Sequence, residues 1–245
     1  MNHALNHHFL LVVADDGTWS ADTNEGLDAL LTLRYHARFL LLHRLFTSLP
    51  SSKAPKHVLT VLAATMEGKV IEDDLTLKEP NNYGIARCAD HSATFNSLTV
   101  EKFAEEYKDT TFVHMYPGVV KTNILAQAIK KPWLRWLVEW LVIPLLSPIM
   151  LNVEDVGERG LFALTSERYK SLSAKEGLSK GGKGAWVKLV DGVKPAEKGK
   201  GAYLIGKDGE EGEGKVMKTY RESGLKERLW EHTLGVYDEV LKKSV

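Results

Sequence analysis

The chain has 245 residues, 44% of them apolar, with 32 Lys plus Arg set against 32 Asp plus Glu. That length suits one domain with enough apolar side chains for a core. A formal net charge of zero without a clustered basic excess excludes a nucleic-acid partner. The single cysteine, Cys88, rules out an intrachain disulfide and fits a reducing, cytoplasmic setting. The first eight residues lack a basic stretch leading into a long apolar one, so no secretory signal is expected. His7, His8, His36 and His43 have no Cys, Asp or Glu at ligand spacing, and no metal is expected.

In chain order, Phe9–Val13 is a continuous apolar run of strand length that ends in the turn signal Ala14-Asp15-Asp16-Gly17. Asp22 or Thr23 is placed to cap a helix of about 20 residues, marked by Leu27, Leu30, Leu31, Leu33, Phe39, Leu40, Leu42, Leu45 and Phe46 and ending before Pro50. His57–Ala64 reads as a second buried strand, and residues 66–82 as polar and irregular. Residues 84–107 form a helix of small residues with Phe95, Leu98 and Phe103 inward. A buried strand at 111–116 then breaks at Pro117-Gly118. Further on come an apolar, Trp-rich stretch (132–150), a helix at 153–165 with Asn152 as cap, and a Gly/Lys/Ser loop at 170–201. A short strand at 202–205 and a terminal helical region at 215–242, broken near Gly224, complete the chain. Strand–helix alternation predicts an α/β fold, a doubly wound parallel sheet with helices on both faces. In such sheets ligands bind at the carboxyl ends of the strands, which is where Pro117, Gly118 and Thr122 fall.

Four short pieces carry a resemblance: Asn24-Glu-Gly-Leu-Asp28, Val156-Gly-Glu-Arg-Gly-Leu-Phe162, Gly201-Ala-Tyr-Leu204 and Trp230-Glu-His-Thr233. Together with the Pro117-Gly118 break, their order resembles the second half of a short-chain dehydrogenase/reductase of the divergent type seen in fungal secondary-metabolite clusters. The resemblance runs over residues 9–242. It implies a Rossmann-like sheet truncated at its N-terminal edge, a single domain over residues 1–245. NADP is the implied cofactor, and the reaction is on a hydrophobic carbonyl or alcohol. Ala14, Pro117, Gly118 and Thr122 would face that cofactor. Truncation would leave the strand at 9–13 with an open sheet edge that a homodimer could cover.

The same alignment sets out where this chain departs from the family. The family's Gly-rich turn, which brings the backbone up to the dinucleotide phosphates, has no counterpart in the sequence. The family's helix Asn aligns with Arg34 and its catalytic Ser with Ala63, with Thr65 two residues further on. The family's Tyr-x-x-x-Lys aligns with Tyr83 and Arg87, the proposed catalytic pair; Arg keeps the positive charge but is not equivalent to Lys. A second alignment places Cys88 at the tyrosine and Ser92 at the lysine. A non-redox enzyme or an inactive pseudoenzyme on this scaffold stands as the alternative.

Trp133, Trp136 and Trp140 recur at spacings of three and four and share one helix face. In the resembling family this region, 130–151 here, is the substrate lid, and an aromatic lid implies a hydrophobic small-molecule substrate. An interfacial helix making peripheral membrane contact is the other reading. Arg135, Glu139, Pro144 and Pro148 argue against a spanning helix.

Overall fold

The computed structural model describes residues 22–48, 56–121, 131–174 and 199–243. The expected strand at 9–13, Ala14, Asp15, Asp16, Thr122 and most of the 170–201 loop lie outside the described residues.

Within them, β1 (Lys56–Val61), β2 (Thr110–Met115) and β3 (Ala202–Ile205) form one parallel sheet in the order β1-β2-β3. Val58 is opposite Phe112 and Leu59 opposite Val113, while Phe112 and Met115 meet Ala202 and Ile205 on the other side. The helices are α1 (Ala29–Leu31), continued by a π-helical turn (Thr32–His36) into α2 (Ala37–Ser48), then α3 (Ile85–Glu106). Next come α4 (Pro132–Leu137), a second π turn (Val138–Val142), α5 (Ile143–Leu146) and a 3-10 turn (Ser147–Ile149). They are followed by α6 (Val153–Thr165), α7 (Met217–Glu222) and α8 (Leu225–Lys243). The fold is α/β and Rossmann-like, as the alternation of elements predicts.

Strand pleating divides the core into two layers. Successive residues point to opposite faces, so Phe112 and Leu204 join Leu31, Tyr35, Phe39, Phe95 and Phe103 on one side. Val113, Met115, Tyr203 and Ile205 join Ala163 and Tyr169 on the other, against Leu59, Val156 and Phe162. Helices α1 to α3, α7 and α8 cover the first face; α6 covers the second.

Two sequence expectations need correction. The first helix is capped by Asp28, whose Oδ1 accepts the Leu31 N–H at 2.7 Å, rather than by Asp22 or Thr23. Thr23 instead closes a turn with Leu27, which delays the helix start. Leu33 and Leu45 are exposed, because the helix buries the Leu31–Tyr35–Phe39 stripe and those two lie off it.

Helix α3 is buried without interruption from His91 to Val100 although much of it is polar. Its polar side chains fasten loops. His91 accepts from Ile71 N, Thr94 bonds both N–H and carbonyl of Gly68, and Asn96 donates to the Arg34 carbonyl. Buried polar groups are stable when paired, so a mostly polar helix serves as the central spar. The Tyr35 hydroxyl does similar work, within 3.2 Å of Thr99 and 2.9 Å of Thr233, joining the first helix, α3 and α8.

Candidate functional site

The carboxyl ends of β1, β2 and β3 lie on one edge, and the candidate site is built there. After β1 the backbone runs through Leu62 and Ala63 to Thr65, which takes a left-handed φ of 68°. A β-branched residue rarely holds that conformation. Here the Thr65 N–H donates to Glu67 Oε1 at 3.1 Å. After β2 comes Tyr116-Pro117-Gly118. Gly118 has φ 78°, and a Cβ on it would come within 3.0 Å of Leu151 and 3.2 Å of Lys207. The positive φ favours glycine here, and a Cβ would also crowd those two side chains. The turn is held by backbone bonds between Leu151 and both Val119 and Lys121.

Below the edge lies a buried chain of hydrogen bonds. His114 Nε2 accepts from Ala63 N at 3.2 Å, and its Nδ1 is 2.8 Å from Ser97 Oγ. Ser97 Oγ in turn donates to Glu67 Oε1, and Glu67 Oε2 accepts Gly214 N at 2.6 Å. With Nε2 accepting, the proton sits on Nδ1, and each donor in the chain has an acceptor. Burial pushes the His114 pKa down to about 3, with the nearby Arg38 charge adding to the effect, so the ring is neutral. This chain pins β1, β2, α3 and the segment before α7 together. Its side-chain members, Glu67, Ser97 and His114, were not singled out from the sequence, because they sit on separate elements and match no local motif.

Tyr83 lies just before α3, half-buried beside Asp28. Burial and then the Asp28 carboxylate raise its pKa, and the two side chains are hydrogen-bonded. A nearby Lys would act in the opposite direction. Arg87 is exposed, with Nη1 donating to the Asn81 carbonyl. Cys88 is buried, and its thiol pKa is raised to about 12 by burial and by Asp28. Ser92, one turn further along α3, accepts a 2.8 Å hydrogen bond from Arg34 Nε. The residues aligned with the family's Asn (Arg34) and, in the second alignment, its Lys (Ser92) are therefore in direct contact. The positive charge at this place comes from the neighbouring helix.

The Trp-rich segment is helical, and Trp133, Trp136 and Trp140 are 65%, 61% and 70% exposed. The Trp136 and Trp140 rings are 6.5 Å apart, and Arg135 pairs with Glu139 at 2.8 Å. The segment's main contacts are between its own successive turns. No helix among the described residues is long and apolar enough to cross a membrane. None of their His, Cys, Asp or Glu side chains cluster in a way that could hold a metal ion. A cavity of about 530 Å³ opens beside the Met115 and Ile205 strand ends, between Phe162 and Arg159 of α6 and the Asp208–Glu210 turn.

An α/β protein with a parallel sheet and a Pro-Gly turn at its carboxyl edge is the class that this geometry defines. No family model matches the chain. It is similar to fungal oxidoreductases: 32% identical over 227 residues, 91% of its length, to the oxidoreductase AN1596 of Emericella nidulans. It is 30% identical over 227 residues, 89% of its length, to the oxidoreductase andH of Emericella variicolor. It is 27% identical over 226 residues, 91% of its length, to the short-chain dehydrogenase/reductase SAT2 of Stachybotrys chartarum. The chain spans 65%, 63% and 62% of those relatives, somewhat under two thirds of each.

A nicotinamide cofactor can be tested against the residues present. The Pro117-Gly118 turn lies at the carboxyl edge of the sheet, where ligands bind in open α/β folds. The proton-transfer residues do not fit: Tyr83 is paired with a carboxylate, Ala63 has no hydroxyl, and Ser92 carries no charge.

Proposed function

We propose that the chain is an oxidoreductase-type protein of fungal secondary metabolism, binding a hydrophobic carbonyl or alcohol intermediate at the carboxyl edge of its sheet. The observation that carries this reading is its similarity, over about nine tenths of its length, to fungal oxidoreductases. NADP(H) is the dinucleotide to test, with Pro117, Gly118 and Thr122 as its neighbours. The exposed faces of Trp133, Trp136 and Trp140 supply the apolar cover for the substrate. Tyr83 and Arg87 are the proton-transfer pair that the alignment offers, and the Asp28 carboxylate beside Tyr83 opposes that role.

The test is titration of the protein with NADPH and NADP⁺, followed by tryptophan fluorescence and thermal shift, then turnover of hydrophobic ketones. Micromolar binding and turnover that Tyr83→Phe abolishes support the redox reading. No binding at millimolar cofactor overturns it. Vesicle co-sedimentation lost on Trp136→Ala would move the Trp face from substrate cover to membrane contact. A second, non-redox or catalytically silent reading is favoured by the Tyr83–Asp28 pair, which makes Tyr83 a poorer acid near neutral pH.

A further inference from the structure

Arg34 and Arg38 are four residues apart where the π turn passes into α2, and both are half-buried. Arg34 Nε is committed to Ser92, and Arg38 Nη1 donates to the carbonyl of Val61, the last residue of β1, at 2.8 Å. Neither guanidinium forms an ion pair with a carboxylate among the described residues. Other half-buried cations do: Lys226 pairs with Glu105 and Arg168 with Glu210. Burial and then the Arg34 charge lower the Arg38 pKa. The nearest acid on the same element, Asp28, has its Oδ1 occupied by the helix cap and its carboxyl set against Tyr83. Like charges held together away from bulk water cost free energy unless an anion joins them. Each guanidinium also keeps N–H donors beyond the single bond it makes, in the planar fork that suits an oxyanion.

We propose that Arg34 and Arg38 form a clamp for an oxyanionic group, carboxylate or phosphate, of a ligand bound at the carboxyl end of β1. Ser92 holds the Arg34 fork and the Val61 carbonyl holds the Arg38 fork, so both are oriented before the ligand arrives. Such pre-orientation lowers the entropic cost of binding. The clamp gives a bound molecule a charged end beside the Ala63 and Ser92 positions. It goes beyond the redox reading and does not depend on it, since it concerns binding alone.

The test is thermal shift and calorimetry of the full chain with malonate and, separately, inorganic phosphate, against sodium chloride at matched ionic strength. At tenfold excess over Kd an upward Tm shift of about 3–5 °C is expected. The response to malonate against that to phosphate tells carboxylate from phosphate chemistry. Arg34→Gln and Arg38→Gln should each abolish the shift. Arg34→Lys, which keeps the charge but loses the fork, should weaken it at least tenfold. Arg44→Gln, at an exposed arginine elsewhere on α2, should leave it intact. If one glutamine variant fails to fold, the other together with Arg34→Lys still decides. No shift with either anion, or an equal shift in all variants, overturns the clamp.

Discussion

Two strongly apolar, aromatic regions of this chain have opposite fates. Around Phe103, the rings of Phe39, Phe112 and Trp230 lie 5.0–5.6 Å away, and all but Trp230 are essentially excluded from water. In the segment 133–145, Trp133, Trp136, Trp140, Leu141 and Leu145 are all more than half exposed. The first group comes from four elements that converge on one sheet face, so each ring covers another. The second comes from one continuous helical segment, whose outward face is left exposed among the described residues. Apolarity sets the drive to bury a side chain; it does not supply the surface that covers it.

The largest effect should come from the buried side. Phe103→Ala removes the ring at the centre of that cluster and should cost about 3–5 kcal/mol, read as a lowered urea midpoint. A loss near that at Trp136 would mean that its helix is covered in solution, and the contrast would fail.

Next is the polar chain beneath the sheet edge. Gly214→Ala would put a Cβ within 2.8 Å of the Glu67 carbonyl oxygen. It should cost about 1–3 kcal/mol through displacement of that backbone. Ser97→Ala should cost a similar 1–3 kcal/mol, because it leaves His114 Nδ1 and Glu67 Oε1 without their shared partner. Wild-type stability in both variants would show that water can take over the network.

The pH profile sharpens the contrast in a different way. Burial holds His36 and His91 down to about 4 and His114 to about 3. Between about pH 4 and 6.5 the unfolded chain therefore binds protons that the native state does not, so stability falls as pH drops through this window. The urea midpoint should be flat above about pH 7 and decline steadily below about 6.5. A flat profile down to pH 4.5 would mean that these rings are hydrated.

The smallest effects should be at the exposed helix. Trp136→Ala and Trp140→Ala should each change stability by no more than about 0.5 kcal/mol. Binding of a hydrophobic ligand, followed by quenching of the remaining tryptophans, should weaken in both. Unchanged ligand affinity would remove the apolar cover from the substrate site.

The four pieces behind the family resemblance turn out to be packing devices. Asp28 caps the first helix. Gly160 lets α6 approach Leu59 closely, at 3.4 Å from where its Cβ would be. The Tyr203 hydroxyl accepts the Lys170 and Lys200 N–H groups, and Thr233 bonds Tyr35. Motifs that hold a fold persist when catalytic positions change, so the fold was legible while the chemistry was less so. Pro117-Gly118 was legible too, because a glycine at positive φ just after a buried strand leaves a local signature.

The amino-acid sequence alone determined the order of elements, their periodicity and the parallel sheet, since these depend on local propensity and hydrophobic spacing. It also determined the helix at 153–165 and the break at Gly224, both at the expected residues. Only the tertiary structure decided that Tyr83 meets Asp28, that Arg34 reaches Ser92, and that Glu67, Ser97, His114 and Gly214 form one chain of hydrogen bonds. Those pairings join residues 17 to 147 positions apart in the chain. Their energetics depend on burial and proximity that no sequence window contains.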